Sequence, residues 1–486
     1  MSSTPLFDGL IQYIKNKPYA FHTPGHKGYP ILSKMLNKLP PDALYKMDLT
    51  EVPGLDDLHC PSGIIDEAQK LLAEAYGAND SFFLVNGSTC GIEALITAVC
   101  SPGDKIIVPR NSHKSIINGL IISGAEPIYI SPYVDKDWCI PLGISIEDIE
   151  YTLINNKGIK AVFLVNPTYH GICSDLESIS DICVNFDIPL LIDEAHGPHL
   201  KFHRGLPTDS LGAGASSCVQ SPHKHLGSLT QSSWLHIKGE RVDADRVKSS
   251  LQLLQTTSPS YILMASLDCA RYQMVIEGEK LLDRTLNLAR YARNGINHIP
   301  GARCLDENIV GGGGVFDYDP TKLVVTCRDA GISGRELERL LREEYNIQPE
   351  YSDYSNVTLF VTIGNTMEDV EKLVSAICDI VNRRHSLLDN RSSVEIYTGS
   401  VIMDIPTQVM TPREAFFAKK DTVDLLNSTG RISGEIVAPY PPGIPLICPG
   451  EEITSEIIEK IRFLKEKNIS FHGPFDPSLK YIKVIS

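Results

Sequence analysis

From residue 65 to about residue 220 the chain alternates short unbroken apolar runs with helical patterns, and nothing else in it restricts the fold as much. "IIDEAQKLLAEAYGA" reads as a helix ending at Gly77. "SFFLVNG" then precedes the helical "TCGIEALITAVC", "DKIIVPR" precedes "HKSIINGLIISG", and "IKAVFLVNP" precedes "LESISDICVNF". "IPLLIDEA" and "SSCVQ" are further strands of this kind. Strands apolar on both faces belong in a mostly parallel sheet with helices on each side, so the expected class is α/β. In such sheets ligands gather at the carboxyl ends of the strands. The polar residues ending these runs, Asn86, Arg110, Asn166, Asp193 and Ser221, are therefore the first candidates for a site.

The rest of the chain divides around this region. Residues 1–64 form an N-terminal segment rich in Pro, Gly and His, with one short amphipathic stretch near its start. Residues 65–310 make the large domain, and the glycine run in "VGGGGVFDYDP" marks its end. A small α/β domain is expected over 311–390, and a C-terminal domain over 391–486. Lys and Arg number 45 and Asp and Glu 60, a net charge of −15. That balance disfavours nucleic acid and anionic membranes as partners and is compatible with a cationic substrate. Twelve cysteines without a Cys-x-x-Cys pair read as free thiols in a reducing, cytoplasmic setting. No signal peptide or membrane-spanning run is expected.

Four motifs acquire meaning in combination. "NGSTCG" (86–91) is a Gly-Ser-Thr turn opening a helix, where amides and hydroxyls suit a phosphate. His113 follows the strand "DKIIVPR" and could face a flat ring. Asp193 ends a buried strand, where a carboxylate requires a charged partner. Lys224 stands in "SPHKHLGSLTQSS" after the strand "SSCVQ". Singly, each reads as a cap, a core residue or a solvated charge. Together they are the parts of a pyridoxal phosphate site: a lysine for the aldehyde, an acid for the pyridine nitrogen, a phosphate cradle and a flat group on the ring.

The chain resembles the ornithine/lysine/arginine decarboxylase family, and most closely its short bacterial arginine decarboxylases, which lack the N-terminal wing domain of the large inducible enzymes. The motifs that carry this resemblance are "FHTPGHKG", "GLDDLHCPSGII", "PRNSHKS", "NPTYHG", "DEAHG", "SPHKHLGSLTQSS", "TTSPSY" and "YPPGIPLICPGE". The resemblance implies a fold-type-I large domain with a mostly parallel seven-stranded sheet and smaller α/β C-terminal domains. It also implies pyridoxal 5'-phosphate on Lys224, paired with Asp193, stacked by His113, and held through its phosphate by Ser88, Thr89 and Ser221. Thr257 would reach the phosphate from a neighbouring subunit of a homodimer or higher homo-oligomer. His196 would lie near the ring oxygen or the substrate carboxylate, and His223 would be a proton donor to the substrate carbon.

The implied reaction is decarboxylation of L-arginine to agmatine in polyamine biosynthesis, with lysine or ornithine as alternative substrates. A distant cation on the substrate needs carboxylate acceptors, and Asp56, Asp57, Asp353 and Glu435 are the candidates. His170 and His225 stand where relatives commonly carry an aromatic residue and leucine, respectively. Three rival readings have other consequences. A metal hydrolase would use His196, His199 and His203 of "HGPHLKFH", although Gly197 and Pro198 oppose the helix this needs. An aminotransferase would release a keto acid instead of carbon dioxide. A non-catalytic regulator would bind cofactor without turnover.

Overall fold

The computed structural model describes residues 4–28, 43–387, 405–440, 443–467 and 469–486. The expected boundary at residues 390–391 and the Pro441–Pro442 pair lie outside them. An amphipathic helix, α1 (Pro5–Asn16), leads into a short strand, β1 (Tyr19–Phe21). None of the residues of α1 is buried. Helix α2 (Ile64–Tyr76) follows and ends on Gly77, whose φ of 70° closes the last turn.

Next come β2 (Asp80–Leu84), α3 (Gly87–Val99), β3 (Lys105–Pro109), α4 (Lys114–Ser123) and β4 (Glu126–Ile130). They are followed by α5 (Ile146–Asn155), β5 (Ile159–Val165), α6 (Leu176–Asn185), β6 (Leu190–Asp193) and β7 (Ser217–Gln220). A single helical turn, α7 (Pro222–His225), joins β7 to β8 (Ser233–Ile237). Seven strands pair in the order β2-β8-β7-β6-β5-β3-β4. Only β8 runs against its neighbours, so the other six strands share one direction and their carboxyl ends share one edge.

The apolar runs are unbroken because the sheet is buried on both faces. Ile107, Val162, Leu164, Leu190, Ile192 and Cys218 point into one core. Their neighbours Ile106, Val108, Ala161, Phe163, Leu191 and Val219 point into the other. This is the period-two alternation of a strand filling two hydrophobic layers.

The chain continues through α8 (Ala244–Leu254) and the long helix α9 (Tyr261–Asn297). A second sheet then forms from β9 (Arg303–Cys304), β10 (Lys322–Thr326), β12 (Tyr351–Ser352) and β13 (Val357–Phe360). Its core includes Leu288 to Cys304 from α9 and β9, upstream of the glycine run, together with α10 (Gly334–Tyr345) and α11 (Met367–Leu387). Strand β11 (Ile347–Pro349) pairs in parallel with β1, so the N-terminal strand is bound to the small domain.

Described residues between Leu425 and Val484 close a separate core around α12 (Ser455–Glu466). A buried ion pair fastens this part to the large domain. Arg110, at the end of β3, lies 2.5 and 2.8 Å from the two carboxylate oxygens of Glu451. The Cys448 amide also donates to Glu451 Oε2. Among the described residues no helix is long and apolar enough to cross a membrane.

Candidate active site

The shared carboxyl edge of the sheet delivers the sequence candidates to one cavity of about 270 Å³, whose lining includes Ser88, His113, Asp193, His196 and Lys224. Asp193 ends β6, and its Oδ1 accepts the Ala195 amide at 3.1 Å. Burial pushes the Asp193 carboxyl above its ordinary value, and the nearby Lys224 charge opposes that. Lys224 rides on α7, where Pro222 begins the turn. Its Nζ lies 2.9 Å from His196 Nε2. Burial lowers the Lys224 ammonium from its ordinary range, while Asp193 and Glu350 hold it up.

His113 caps α4, its Nδ1 accepting from the Ser115 amide and hydroxyl at 3.3 and 2.9 Å. Burial, then the Lys224 charge, pulls the His113 imidazole down to about 4. The same two causes keep His196 well below the usual histidine range. His196 Nδ1 is buried without a hydrogen-bond partner among the described residues. Ser88 sits in the first turn of α3, just after Gly87, whose φ of 76° turns the chain from strand into helix.

Other expected residues stand off the cavity wall. Thr89 follows Ser88 on α3. Ser221 is fully buried, with its Oγ 3.5 Å from Ser233 Oγ. His223 is not among the lining residues, and its Nδ1 donates to the Ser232 carbonyl at 2.7 Å. Burial drives that imidazole down to about 4. Thr257 is exposed and outside the cavity of its own chain.

None of the four candidate carboxylates for a substrate cation reaches the cavity. Asp56 accepts amides from Asp57, Ser62, Gly63, Ile65 and Asp66 and so caps the start of α2. Asp57 accepts the His59 amide. Asp353 accepts the amides of Ser355 and Asn356. Glu435 accepts those of Phe475 and Lys483. A carboxylate surrounded by backbone donors in this way organises a turn.

Besides Asp193, the cavity wall carries the carboxylate of Glu350, which the sequence reading did not single out. Its Oε1 accepts the Tyr169 hydroxyl at 2.5 Å and its Oε2 the Thr23 amide at 2.7 Å. Glu350 opens the stretch "EYSDYS" directly after β11, so the β1–β11 pairing is what brings it and Thr23 together. Tyr169 and Tyr440 also line the cavity and were missed, although both fall within recognisable motifs. His170 lines it too, and accepts from the Tyr351 hydroxyl.

The histidines of "HGPHLKFH" diverge. His196 meets Lys224, His199 lies 3.2 Å from Asp319, and His203 lies 3.0 Å from Asp283. Gly197 and Pro198 interrupt the segment, and only a short 3-10 turn (Leu200–Phe202) forms.

With this geometry in view, the fold is that of the lysine decarboxylases, in the fold-type-I α/β class. The structure of the Francisella novicida lysine decarboxylase is similar with a TM-score of 0.77 at 22% identity, over 98% of this chain and 80% of that one. The E. coli constitutive lysine decarboxylase gives a TM-score of 0.76 at 21% identity, over 100% and 82%. In sequence, residues 4–369 match the major domain of the Orn/Lys/Arg decarboxylases and residues 396–482 their C-terminal domain. An arginine decarboxylase of Bacillus subtilis (strain 168) is 41% identical over 482 residues, 99% of this chain and 98% of the relative. The chain belongs to the Orn/Lys/Arg decarboxylase family.

Proposed function

We propose that this protein decarboxylates L-arginine to agmatine and carbon dioxide with pyridoxal 5'-phosphate held at Lys224. The observation that carries the choice of arginine is the full-length similarity to the Bacillus subtilis arginine decarboxylase. The residues present fit the cofactor: a buried acid, a neutral imidazole, a buried lysine, a helix N-terminus with a hydroxyl, and an unpartnered Nδ1 on His196. Asp193 would hold the ring nitrogen, where its charge favours the protonated ring. His113 would contact the ring, and Ser88 with the first amides of α3 would hold the phosphate. Thr89, Ser221 and Thr257 of a second copy are the further phosphate ligands in this reading.

Bound there, pyridoxal phosphate supplies an electron sink for the pair left on Cα as carbon dioxide departs. The chain does the rest. Burial disfavours the charged form of Lys224, which keeps its amine available as a nucleophile. His196 Nε2, 2.9 Å away, orients Lys224 Nζ, and in this reading Nζ returns a proton to the substrate carbon. Glu350 accepts the substrate's side-chain cation through lone pairs that Tyr169 and Thr23 leave free. His223 is assigned to holding the Ser232 loop, because its ring does not line the cavity.

In this reading the enzyme works in the cytoplasm as a homodimer or higher homo-oligomer. The exposed apolar residues of α1, with Leu6 78% and Ile14 64% exposed, support a covering second copy. A parallel assay of released carbon dioxide with arginine, lysine and ornithine tests the substrate. Arginine is expected to lead in kcat/KM by about tenfold or more, the scale on which a carboxylate distinguishes guanidinium from ammonium. A lead for lysine or ornithine, or a keto acid in place of carbon dioxide, overturns it.

A further inference from the structure

Behind the cavity lies a second buried lysine that the proposed chemistry leaves unused. Lys322, the first residue of β10, is 0% exposed. Its Nζ is hydrogen-bonded to His225 Nε2, lies 3.9 Å from Asp319 Oδ2 and sits 4.0 Å from the centre of the Phe360 ring. His225 stacks on His199, with ring centres 4.5 Å apart and 22° between planes. His199 in turn faces Asp319 at 3.2 Å. On its other side His225 meets His196, ring centres 6.1 Å apart. Phe360 packs against both rings, its centre 5.5 Å from that of His196 and 5.2 Å from that of His225. The Lys322 stem packs closely on Gly171, where a Cβ would come within 2.8 Å of the lysine Cγ.

We propose that Lys322 and His225 form a positioning pair for Lys224: Lys322 donates to His225 Nε2 and sets a positive charge behind His196, which adds to burial in keeping the His196 ring neutral and its Nε2 accepting from Lys224 Nζ. The inference rests on the reading that Lys224 carries the cofactor. It gives His225 a role: a leucine there offers Lys322 no acceptor. The ammonium has three supports in the interior, an imidazole acceptor, a carboxylate and an aromatic face.

The titratable groups around the pair come from every element packed on it. Lys224 and His196 lie on the cavity side, His199 and Asp319 behind, and Lys27, Glu350 and Cys173 alongside. His113 and His223 also act on His196. Burial lowers Lys322 to about 7, with Asp319 opposing, so its charge is present in the acid half of the working range. There it adds to burial and the Lys224 charge in opposing protonation of His196.

The test uses the cofactor-loaded enzyme. In Lys322→Met the acid limb of the kcat/KM profile and the acid titration of the visible cofactor absorbance both move up by about one pH unit, because a nearby cation no longer opposes protonation of His196. Lys322→Arg, which keeps the charge, restores both. A folded Lys322→Met with both titrations unmoved overturns the pair. If Lys322→Met does not fold, His225→Leu carries the same expectation, since an ammonium without its acceptor sheds its proton. Wild-type ring-nitrogen NMR, with His196 assigned by its loss in His196→Asn, gives an independent reading: a His196 ring protonated above pH 6 overturns the proposal. Absence of any visible cofactor absorbance in the wild type would instead count against Lys224 as the cofactor residue.

Discussion

Lys224 and Glu350 are the side chains on which the proposed chemistry turns, and each makes a separate prediction. Lys224→Ala removes a buried amine. The variant is expected to fold, to lose the visible absorbance of the loaded enzyme, and to lose activity by at least about 10³-fold. Spectra and turnover of the same preparation check this. Glu350→Gln keeps the size of the side chain and an acceptor for Tyr169, but not the charge. Hydrogen bonds to charged groups contribute about 1.5–3 kcal/mol, so KM for arginine is expected to rise roughly ten- to a hundredfold. An unchanged KM would remove Glu350 from substrate recognition. The two residues differ in how openly the sequence announces them. Lys224 follows a strand within a long motif, whereas Glu350 has ordinary neighbours and reaches the cavity through a strand pairing remote in sequence. Asp56 and Asp353 misled for a related reason. A carboxylate that caps a turn and one that awaits a cation are the same residue type, and only the direction of the backbone amides tells them apart.

At the scale of elements, the large-domain strands and helices were readable because burial on both faces leaves an unbroken apolar signature. The strand-end rule pointed directly to Asp193, whereas Ser88, His113 and Lys224 needed the combination of motifs that follow strands. What binds the C-terminal part to the sheet was not readable. Arg110 was noted as a strand end, but its partner Glu451 lies 341 residues away in sequence. Glu451→Ala would leave a guanidinium buried and unpaired, at a cost of about 3–5 kcal/mol. Thermal unfolding is expected to show the loss. Replacing both partners, as Arg110→Met with Glu451→Leu, should recover much of it, because the desolvation penalty disappears with the charges. A double variant no more stable than Glu451→Ala would mean that the pair supplies net attraction.

For the molecule as a whole, the buried histidines predict how stability responds to acid. Burial holds His113 and His223 down to about 4, and His170 and His236 to about 3. In the unfolded chain each titrates near 6.5. Their contribution is therefore fully present above pH 6.5 and is lost as pH falls towards the folded values, where both states are protonated. Each group removes up to ~1.4 kcal/mol per pH unit within that window. Denaturant midpoints at pH 7.5, 6 and 5 should fall steeply, and a flat series would mean that these rings are charged in the folded protein.

The pairing of β1 with β11 also bears on how the protein is made. Its partners are 328 residues apart (347 − 19), and one wall of the cavity depends on them. At a synthesis rate of ~5–20 residues per second, the first strand leaves the ribosome roughly 16–66 s before its partner is made. During that interval Thr23 has no Glu350 to hold, and the nascent chain has no closed cavity to receive a cofactor. A polypeptide interrupted before residue 350 would carry the lysine, the aspartate and the phosphate turn, yet lack the carboxylate proposed to choose the substrate.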